Sequence, residues 1–218
     1  MRQLFEHSFP AKIWNIKFDD QFLVTELRDD ITRKVYFATI DLHSGELLWQ
    51  QPSPNKTWWQ SLVEVQQGYA NIVEFSADSK PEVIDNYYIE LQSGNRVEQS
   101  SKILGFEGKN TVLALHPLHY TDDNEFFPAI FKFLYRLLSI DIQKGVDYLE
   151  YKDKIIISYY LYCENKLCNY LLVVNRKREI LLHELIAESE GLGISTFTIK
   201  PEILLYVKNK CQLHGYEL

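Results

Sequence analysis

The sequence predicts an all-β fold, a single domain over residues 1–218 built as a five-bladed β-propeller-like array of antiparallel units. Two observations lead there. The stretch Ile40-Asp41-Leu42-His43-Ser44-Gly45-Glu46-Leu47-Leu48-Trp49 carries an apolar strand into a Gly-containing turn and out again. A second copy, Ile89-Glu90-Leu91-Gln92-Ser93-Gly94-Asn95-Arg96-Val97-Glu98, follows 49 residues on, with an acid after the isoleucine and Ser-Gly at the turn. The second observation is that alternating apolar segments around a polar reversal recur along the chain, with turn-to-turn offsets of 48, 41, 44 and 48 residues, the length of a propeller blade. The alternative use of the same strands is a β-sandwich of two stacked sheets.

The elements follow in chain order. Inner hairpins are predicted at Ile13 to Leu27 around Asp19-Asp20, Leu62 to Phe75 around Gln67-Gly68, Ile103 to Leu115 around Gly108-Lys109, Val146 to Tyr160 around Lys152-Asp153, and Thr196 to Val207 around Pro201-Glu202. Each reversal holds Asp, Gly or Pro, which favour tight turns. The first two are followed by the outer hairpins above, where Gly45 and Gly94 supply the positive φ that a short loop needs. Cys168 to Asn175 and Ile180 to Leu185 supply the outer strands of the fourth unit, joined at Arg176-Lys177-Arg178. The third unit is degenerate. There Ile130, Phe133, Leu134, Leu137 and Leu138 recur at helical spacing within 124–140, with Asn124 as the expected N-cap and Pro128 in the first turn, so a helix takes the place of that unit's outer strands or covers them. The fifth unit ends at Cys211 to Leu218, one strand short, and the strand Gln3 to Phe9 is free to complete it.

Composition narrows the function. A formal charge of −7 offers no field for a phosphate backbone, so nucleic acid is not an expected partner. No apolar stretch is long enough to span a bilayer and Met1 to His7 has no secretory pattern, so no membrane is expected and the expected location is cytoplasmic. Three cysteines, Cys163, Cys168 and Cys211, without CxxC spacing suit reduced thiols.

The residues Asp41, Ser44, Gly45, Leu48 and Trp49 spell acid-x-x-(Ser/Thr)-Gly-x-x-Leu-Trp, which resembles the quinoprotein-like and WD40-like propeller blade repeat; the second copy lacks the Trp. Glu26-Leu27-Arg28-Asp29, Ser158-Tyr159-Tyr160 and Asn169-Tyr170-Leu171 resemble stretches of a family of uncharacterised bacterial propeller-like proteins. That resemblance implies a fold and no activity. Quinoprotein dehydrogenases are much larger and usually exported, so their chemistry is not expected here.

Strand polarity places the segments Arg28 to Lys34, Gln50 to Trp59, Ser76 to Asp85, His116 to Phe126, Asp141 to Gly145, Cys163 to Cys168 and Glu188 to Gly193 on one loop-rich face, where function on a rigid scaffold usually sits. His116, His119, Tyr120 and Asp122 are the densest set of chemically capable side chains, although H-x-x-H in a loop is no metalloprotease motif and the bland reading is a Pro-kinked lead into the helix. Trp58 and Trp59 follow a polar, Pro-containing loop and offer indoles for stacking. Glu26 and Arg28 lie two apart on one strand face and suit an ion pair to a neighbouring unit; Glu150 and Tyr160 are read as structural in the same way.

No Gly-rich phosphate loop, nucleophile elbow or His-paired thiol is present. The expectation is therefore a non-catalytic binding or scaffold module for a protein or small-molecule ligand, with no cofactor, no metal and no catalytic residue. Its ligand-binding candidates are Arg28, Trp58, Trp59, His116, His119, Tyr120 and Asp122. The competing expectation is an enzyme or ligand sensor with a polar or metal site around His116, His119, Tyr120 and Asp122.

Overall fold

Alternating apolar residues between turn formers yield strands along most of the described chain. The computed structural model describes residues 1–77, 80–97, 114–189, 193 and 196–218. The strands in the first part are β1 (Arg2–Ser8), β2 (Lys12–Phe18), β3 (Phe22–Asp29), β4 (Lys34–Asp41), β5 (Leu47–Pro52), β6 (Gln60–Gln66), β7 (Tyr69–Phe75), β8 (Val83–Glu90) and β9 (Arg96–Val97). Then come β10 (Leu118–Thr121), the helix α1 (Phe127–Leu138), β11 (Gln143–Tyr151), β12 (Lys154–Cys163), β13 (Lys166–Asn175), β14 (Ile180–Ser189), β15 (Phe197–Lys200), β16 (Ile203–Lys208) and β17 (Gln212–Glu217). They form four separate antiparallel sheets, in the orders β2-β3-β4-β5, β6-β7-β8-β9, β10-β11-β12-β13-β14 and β1-β17-β16-β15, none of them closed. The fold is all-β. The sequence predicts five units where four sheets are found among the described residues, because the third inner hairpin, with its turn at Gly108-Lys109, lies outside them except for Ala114 and Leu115.

The chain gathers into two compact units, His7–Val112 and Met1–Glu6 with Leu113–Leu218. In the first, the sheet β2–β5 packs face to face on β6–β9 through Phe22, Val24, Val35 and Phe37 on one side and Leu62, Ala70, Ile72, Tyr87 and Ile89 on the other. The two outer hairpins have the same turn chemistry. Asp41 N–H donates to the Glu46 carbonyl and Gly45 N–H to the Asp41 carbonyl; 49 residues on, Glu90 N–H donates to Asn95 and Gly94 N–H to Glu90. Gly45 and Gly94 both have φ 75°. The acid of the motif secures the turn: Asp41 Oδ1 accepts from the His43 and Ser44 amides at 2.9 Å, and Glu90 Oε2 from Ser93 Oγ at 2.5 Å. Burial acts to raise the Asp41 pKa, but these hydrogen bonds and one from Gln21 outweigh it and hold the carboxyl below its ordinary value. Trp49 extends to the next sheet, donating Nε1–H to the Leu91 carbonyl at 2.6 Å.

In the second unit the five-stranded sheet is covered on both faces, which is why Ile155 to Ile157 and Leu171 to Val174 run continuously apolar. Ile156, Leu171 and Val173 pack with Phe197, Ile199, Leu204 and Tyr206 of the sheet β1-β17-β16-β15. Ile157, Tyr159, Leu172 and Val174 pack with Phe127, Ile130 and Leu134 of α1. The helix starts later than expected, with Phe126 rather than Asn124 at the N-cap. Asn124 acts one turn earlier, its Oδ1 accepting the Phe126 N–H at 2.9 Å. Pro128 sits in the first turn, and Ser139 ends the helix at φ 58°.

The strand β1 lies beside β17, as the missing fourth strand of the last unit requires. Gly215 shows why it fits: a Cβ there would come within 2.4 Å of the Phe5 ring, so the ring lies directly on the glycine backbone. Arg2 Nε also donates to Glu217 Oε2 at 2.9 Å. Deleting residues 1–8 removes Phe5, which is only 5% exposed, and bares the edge of β17. Burial of one such ring contributes about 1.5–3 kcal/mol, and an open edge invites pairing between chains. The truncated chain is expected to aggregate or melt well below the parent in size-exclusion chromatography and thermal unfolding; a monomer with the parent's melting temperature would refute the role given to β1.

His214 on β17 is 3% exposed and stacks on Tyr206 with ring centroids 4.9 Å apart, and neither ring nitrogen has a hydrogen-bond partner among the described residues. Glu6 Oε2 lies 3.9 Å from Nδ1, beyond hydrogen-bond reach. Burial holds the His214 pKa below its ordinary 6.5, against the opposing pull of Glu184 and Glu6 and with the help of Lys208. The unfolded chain therefore takes up this proton at a higher pH than the fold does. The stabilisation is complete above the unfolded value and is lost as pH falls from about 6.5 towards the depressed folded value. Urea midpoints at pH 7.5 and pH 5.5 are expected to differ less for His214→Phe than for the parent, and equal differences would exclude His214 as a source.

Candidate functional site

The site starts from a backbone requirement. Strand β6 lies on the edge of its sheet, so the Leu62 amide and carbonyl on that edge need partners. Two side chains of the neighbouring sheet supply them: Glu26 Oε2 accepts the Leu62 N–H at 2.9 Å, and Asn15 Nδ2–H donates to the Leu62 carbonyl at 2.8 Å. Glu26 is fully buried, and its other oxygen is neutralised by Arg28, whose Nε–H donates to Oε1 at 2.7 Å. Arg28 Nη2–H also reaches the Gln60 carbonyl at 2.6 Å. Glu26 and Arg28 thus pair with each other on β3 rather than with a charge of a neighbouring unit as expected, and it is through the backbone of Leu62 and Gln60 that they tie the two sheets of this unit together.

Neutralising Glu26 leaves the flat guanidinium to be covered. Arg28 Cζ lies 4.8 Å from the Trp14 ring centroid and 4.9 Å from that of Trp58, and Arg33 Cζ lies 4.0 Å from the Trp58 centroid. The result is a ladder of two arginines and two tryptophans on the loop-rich end of the unit. Cation–π contacts of this kind contribute about 0.5–2 kcal/mol each, more as they are desolvated. Trp14 is 63% exposed because the β2/β3 register shifts between Ile13 and Asn15, and the bulged residue turns outward. Arg33 is exposed, with φ 55°, and no carboxylate pairs with it among the described residues.

Trp58 is held by its loop. Gln60, 1% exposed, donates through Nε2–H to the carbonyls of Asn55 and Thr57 at 3.1 and 2.5 Å, and its Oε1 accepts from Ser53 Oγ at 2.6 Å and Tyr87 OH at 2.8 Å. Burial pushes the Tyr87 phenol up to about 12, so it stays a donor. Trp59 is 43% exposed, its carbonyl accepting the Phe75 N–H at 2.7 Å.

Of the residues expected in the site, the structure brings Arg28 and Trp58 into contact and leaves Trp59 at the surface beside them in the chain. It does not assemble the set in the second unit. The segment read as a loop is in part the strand β10, paired with β11 from Leu118↔Tyr148 to Thr121↔Gly145. Strand alternation therefore sends His119 and Tyr120 to opposite faces. His119 Nδ1 lies 2.7 Å from Asp147 Oδ1, and Tyr120 packs between Phe126 and Tyr148 with centroids 5.8 and 6.3 Å away. His116 lies 3.4 Å from Thr198 Oγ1, and Asp122 is exposed in the turn after β10. Among the described residues, no three His, Cys, Asp or Glu side chains gather as metal ligands. Cys163 and Cys168 flank a tight turn rather than a long loop, since β12 runs to Cys163 and β13 starts at Lys166. All three cysteines are free, and burial pushes the Cys168 thiol up to about 11, so it stays protonated near neutral pH. Tyr160 OH accepts the Gly193 N–H at 2.7 Å and Glu150 Oε1 accepts from Tyr148 OH at 2.6 Å, structural roles in both cases.

Sequence reasoning missed Trp14, Arg33, Asn15 and Gln60. A signal for Trp14 was present: Ile13-Trp14-Asn15-Ile16 breaks apolar alternation just as Leu62-Val63-Glu64-Val65 does 49 residues later, and both places are bulges.

Residues 16–96 match a family model described as a domain of unknown function, DUF4905. The match covers Glu26, Arg28, Arg33, Trp58 and both sheets of the first unit from Ile16 onward, and leaves out Trp14. No curated protein matches the chain.

Replacing Glu26 by Ala would leave the Arg28 charge buried without its partner and the Leu62 amide unsatisfied. The expected loss is about 3–5 kcal/mol of unfolding free energy, read from urea denaturation. A loss below about 1 kcal/mol, the size of an exposed ion pair, would show that the pair does not join the sheets.

Proposed function

We propose that the protein is a non-catalytic binding module that uses the loop-rich end of its first unit. The observation that carries this is the Trp14–Arg28–Trp58–Arg33 ladder: a stack with an exposed indole at Trp14 and, at Arg33, a cation with no carboxylate partner among the described residues. Trp and Arg are enriched among the few residues that carry most of the binding energy at protein interfaces, and here both arginines are already stacked on Trp58, which lowers the ordering entropy still to be lost. Both oxygens of Glu26 are engaged, so the ladder has no free acid or base for catalysis. The partner suited to it, a protein segment or a small molecule, carries an anionic group beside an apolar or aromatic face. The sheets are best read as blades of a propeller-like repeat, since three are meanders of consecutive strands and the fourth is a meander of β15 to β17 completed by β1, without the strand exchange of Greek-key sandwiches. Three free cysteines favour the cytoplasm. No helix among the described residues is long and apolar enough to cross a membrane.

The second reading, an enzyme or sensor, draws on one observation. His119 is oriented by the buried Asp147, as a general base is by its acid. The binding reading is preferred because the second oxygen of Asp147 accepts the Thr196 amide and hydroxyl at 2.8 and 2.9 Å, which makes the carboxylate a structural tie.

The test is tryptophan fluorescence titration with a library of peptides that pair Asp or Glu with aromatic residues. Trp14→Ala and Arg33→Ala are each expected to weaken the best binder about tenfold or more while lowering the melting temperature by no more than about 2–4 °C, the size of one lost cation–π contact. Undiminished binding by both variants would overturn the assignment of this surface.

A further inference from the structure

The helix α1 carries two cations, Lys132 and Arg136, and no acid, and it meets the β13–β14 turn at a cleft of about 250 Å³. Helical spacing sorts the lining. Ala129, Phe133 and Leu137 recur every four residues and form an apolar wall, while Lys132 and Arg136, also four apart, run along its side. The turn supplies a third cation, Arg178. Among the described residues no Asp or Glu lines the cleft.

The backbone that carries Arg178 is fixed. Asn175 Oδ1 accepts the Lys177 and Glu179 amides at 2.9 and 3.0 Å, Arg178 N–H donates to the Asn175 carbonyl at 2.9 Å, and Arg176 N–H donates to the Asp153 carbonyl at 3.0 Å. Arg178 is held at φ 67°, the left-handed region that few residues other than Gly and Asn adopt readily. Glu179, the acid next to it in the chain, is engaged elsewhere, its Oε2 accepting from Asn175 Nδ2–H at 2.5 Å.

Like charges four apart on a helix repel, and a third cation on the same cleft adds to the repulsion. Five other cations of this unit, Arg2, Lys152, Lys154, Lys166 and Lys208, each pair with a carboxylate. Lys132, Arg136 and Arg178 have no carboxylate partner among the described residues, and all three are exposed, so their charged ends are open to a ligand. Three such cations on one small cleft, in a chain of formal charge −7, call for an anion from outside.

Charge and shape select that anion. A lone carboxylate would offset one cation of the three, whereas a phosphate monoester carries about −1.5 to −2 at pH 7 with three acceptor oxygens, and arginine binds it in bidentate fashion. The apolar wall of Ala129, Phe133 and Leu137 suits a hydrocarbon substituent on the phosphate. Sites for drug-sized ligands run from about 300 to 1,000 Å³, so this cleft suits a smaller molecule. We propose that it binds a small organic phosphate monoester with an aromatic or alkyl group. The site belongs to the second unit and does not depend on the tryptophan–arginine ladder.

The experiment is calorimetric titration of the protein with phenyl phosphate, with inorganic phosphate and benzoate as comparisons. Phenyl phosphate is expected to bind at least about tenfold more tightly than either. Arg136→Gln and Arg178→Asn are each expected to weaken it about tenfold or more. Both variants are expected to stay folded, since Gln suits an exposed helix position and Asn a positive φ. Arg33→Ala, which removes the ladder's outer cation, is expected to leave phenyl phosphate binding unchanged. The proposal is overturned if phenyl phosphate does not bind at millimolar concentration, if benzoate or inorganic phosphate binds as tightly, or if binding is lost with Arg33 rather than with Arg136 and Arg178. Co-sedimentation with phosphatidic acid vesicles without binding of phenyl phosphate would also overturn it, by assigning the three cations to a lipid surface.

Discussion

An edge strand carries backbone N–H and C=O groups that must find partners once a second sheet packs against it and excludes water. In the first unit Glu26 and Asn15 meet that requirement at Leu62, one side chain for the amide and one for the carbonyl. The rest of the loop-rich end depends on this. A buried carboxylate needs a cation, which is Arg28, and a buried guanidinium needs flat apolar cover, which is Trp14 and Trp58. A buried ion pair adds little net stability over an apolar pair of the same volume. Its contribution here is position: the carboxylate sets where β6 sits against β3, and the Gln60 carbonyl that Arg28 reaches belongs to the residue that holds the Trp58 loop.

The second unit solves the same problem with different residues. Asp147 receives the Thr196 amide and hydroxyl and faces His119, and Tyr160 OH meets both the amide and the carbonyl of Gly193. A further backbone bridge pairs Leu115 with Ile199. Neighbouring sheets here share no strand, so side-chain bonds to neighbouring backbone lock them together. This accounts for Glu26, Asp147 and Tyr160 among the buried polar residues.

The two candidate sites belong to different units and differ in how their cations are held. In the ladder Arg28 and Arg33 stack on Trp58, whereas in the cleft Lys132, Arg136 and Arg178 lie beside an apolar wall. Both take residues from loops or turns pinned by side-chain hydrogen bonds, at Gln60 and at Asn175, which lowers the ordering entropy still to be lost on binding.

By itself the sequence determined what depends on residues close in the chain. Period-two alternation and turn formers placed the inner hairpins at Asp19-Asp20, Gln67-Gly68, Lys152-Asp153 and Pro201-Glu202, and the Ser-Gly motif placed both outer turns. Helical spacing placed α1, and counting strands assigned β1 to the last sheet. The chemically rich segment around His119 was harder, because a four-residue strand just after Pro117 carries too short an alternation to stand out from a loop. Only the tertiary structure decided which side chains meet across sheets: Arg33 on Trp58, Trp14 on Arg28, Asp19 on Gly68, Asp147 on Thr196. Strand and turn preferences act over a few bonds, whereas these meetings follow from bulges, twist and sheet-on-sheet packing between residues dozens of positions apart, for which the chain carries no period to read.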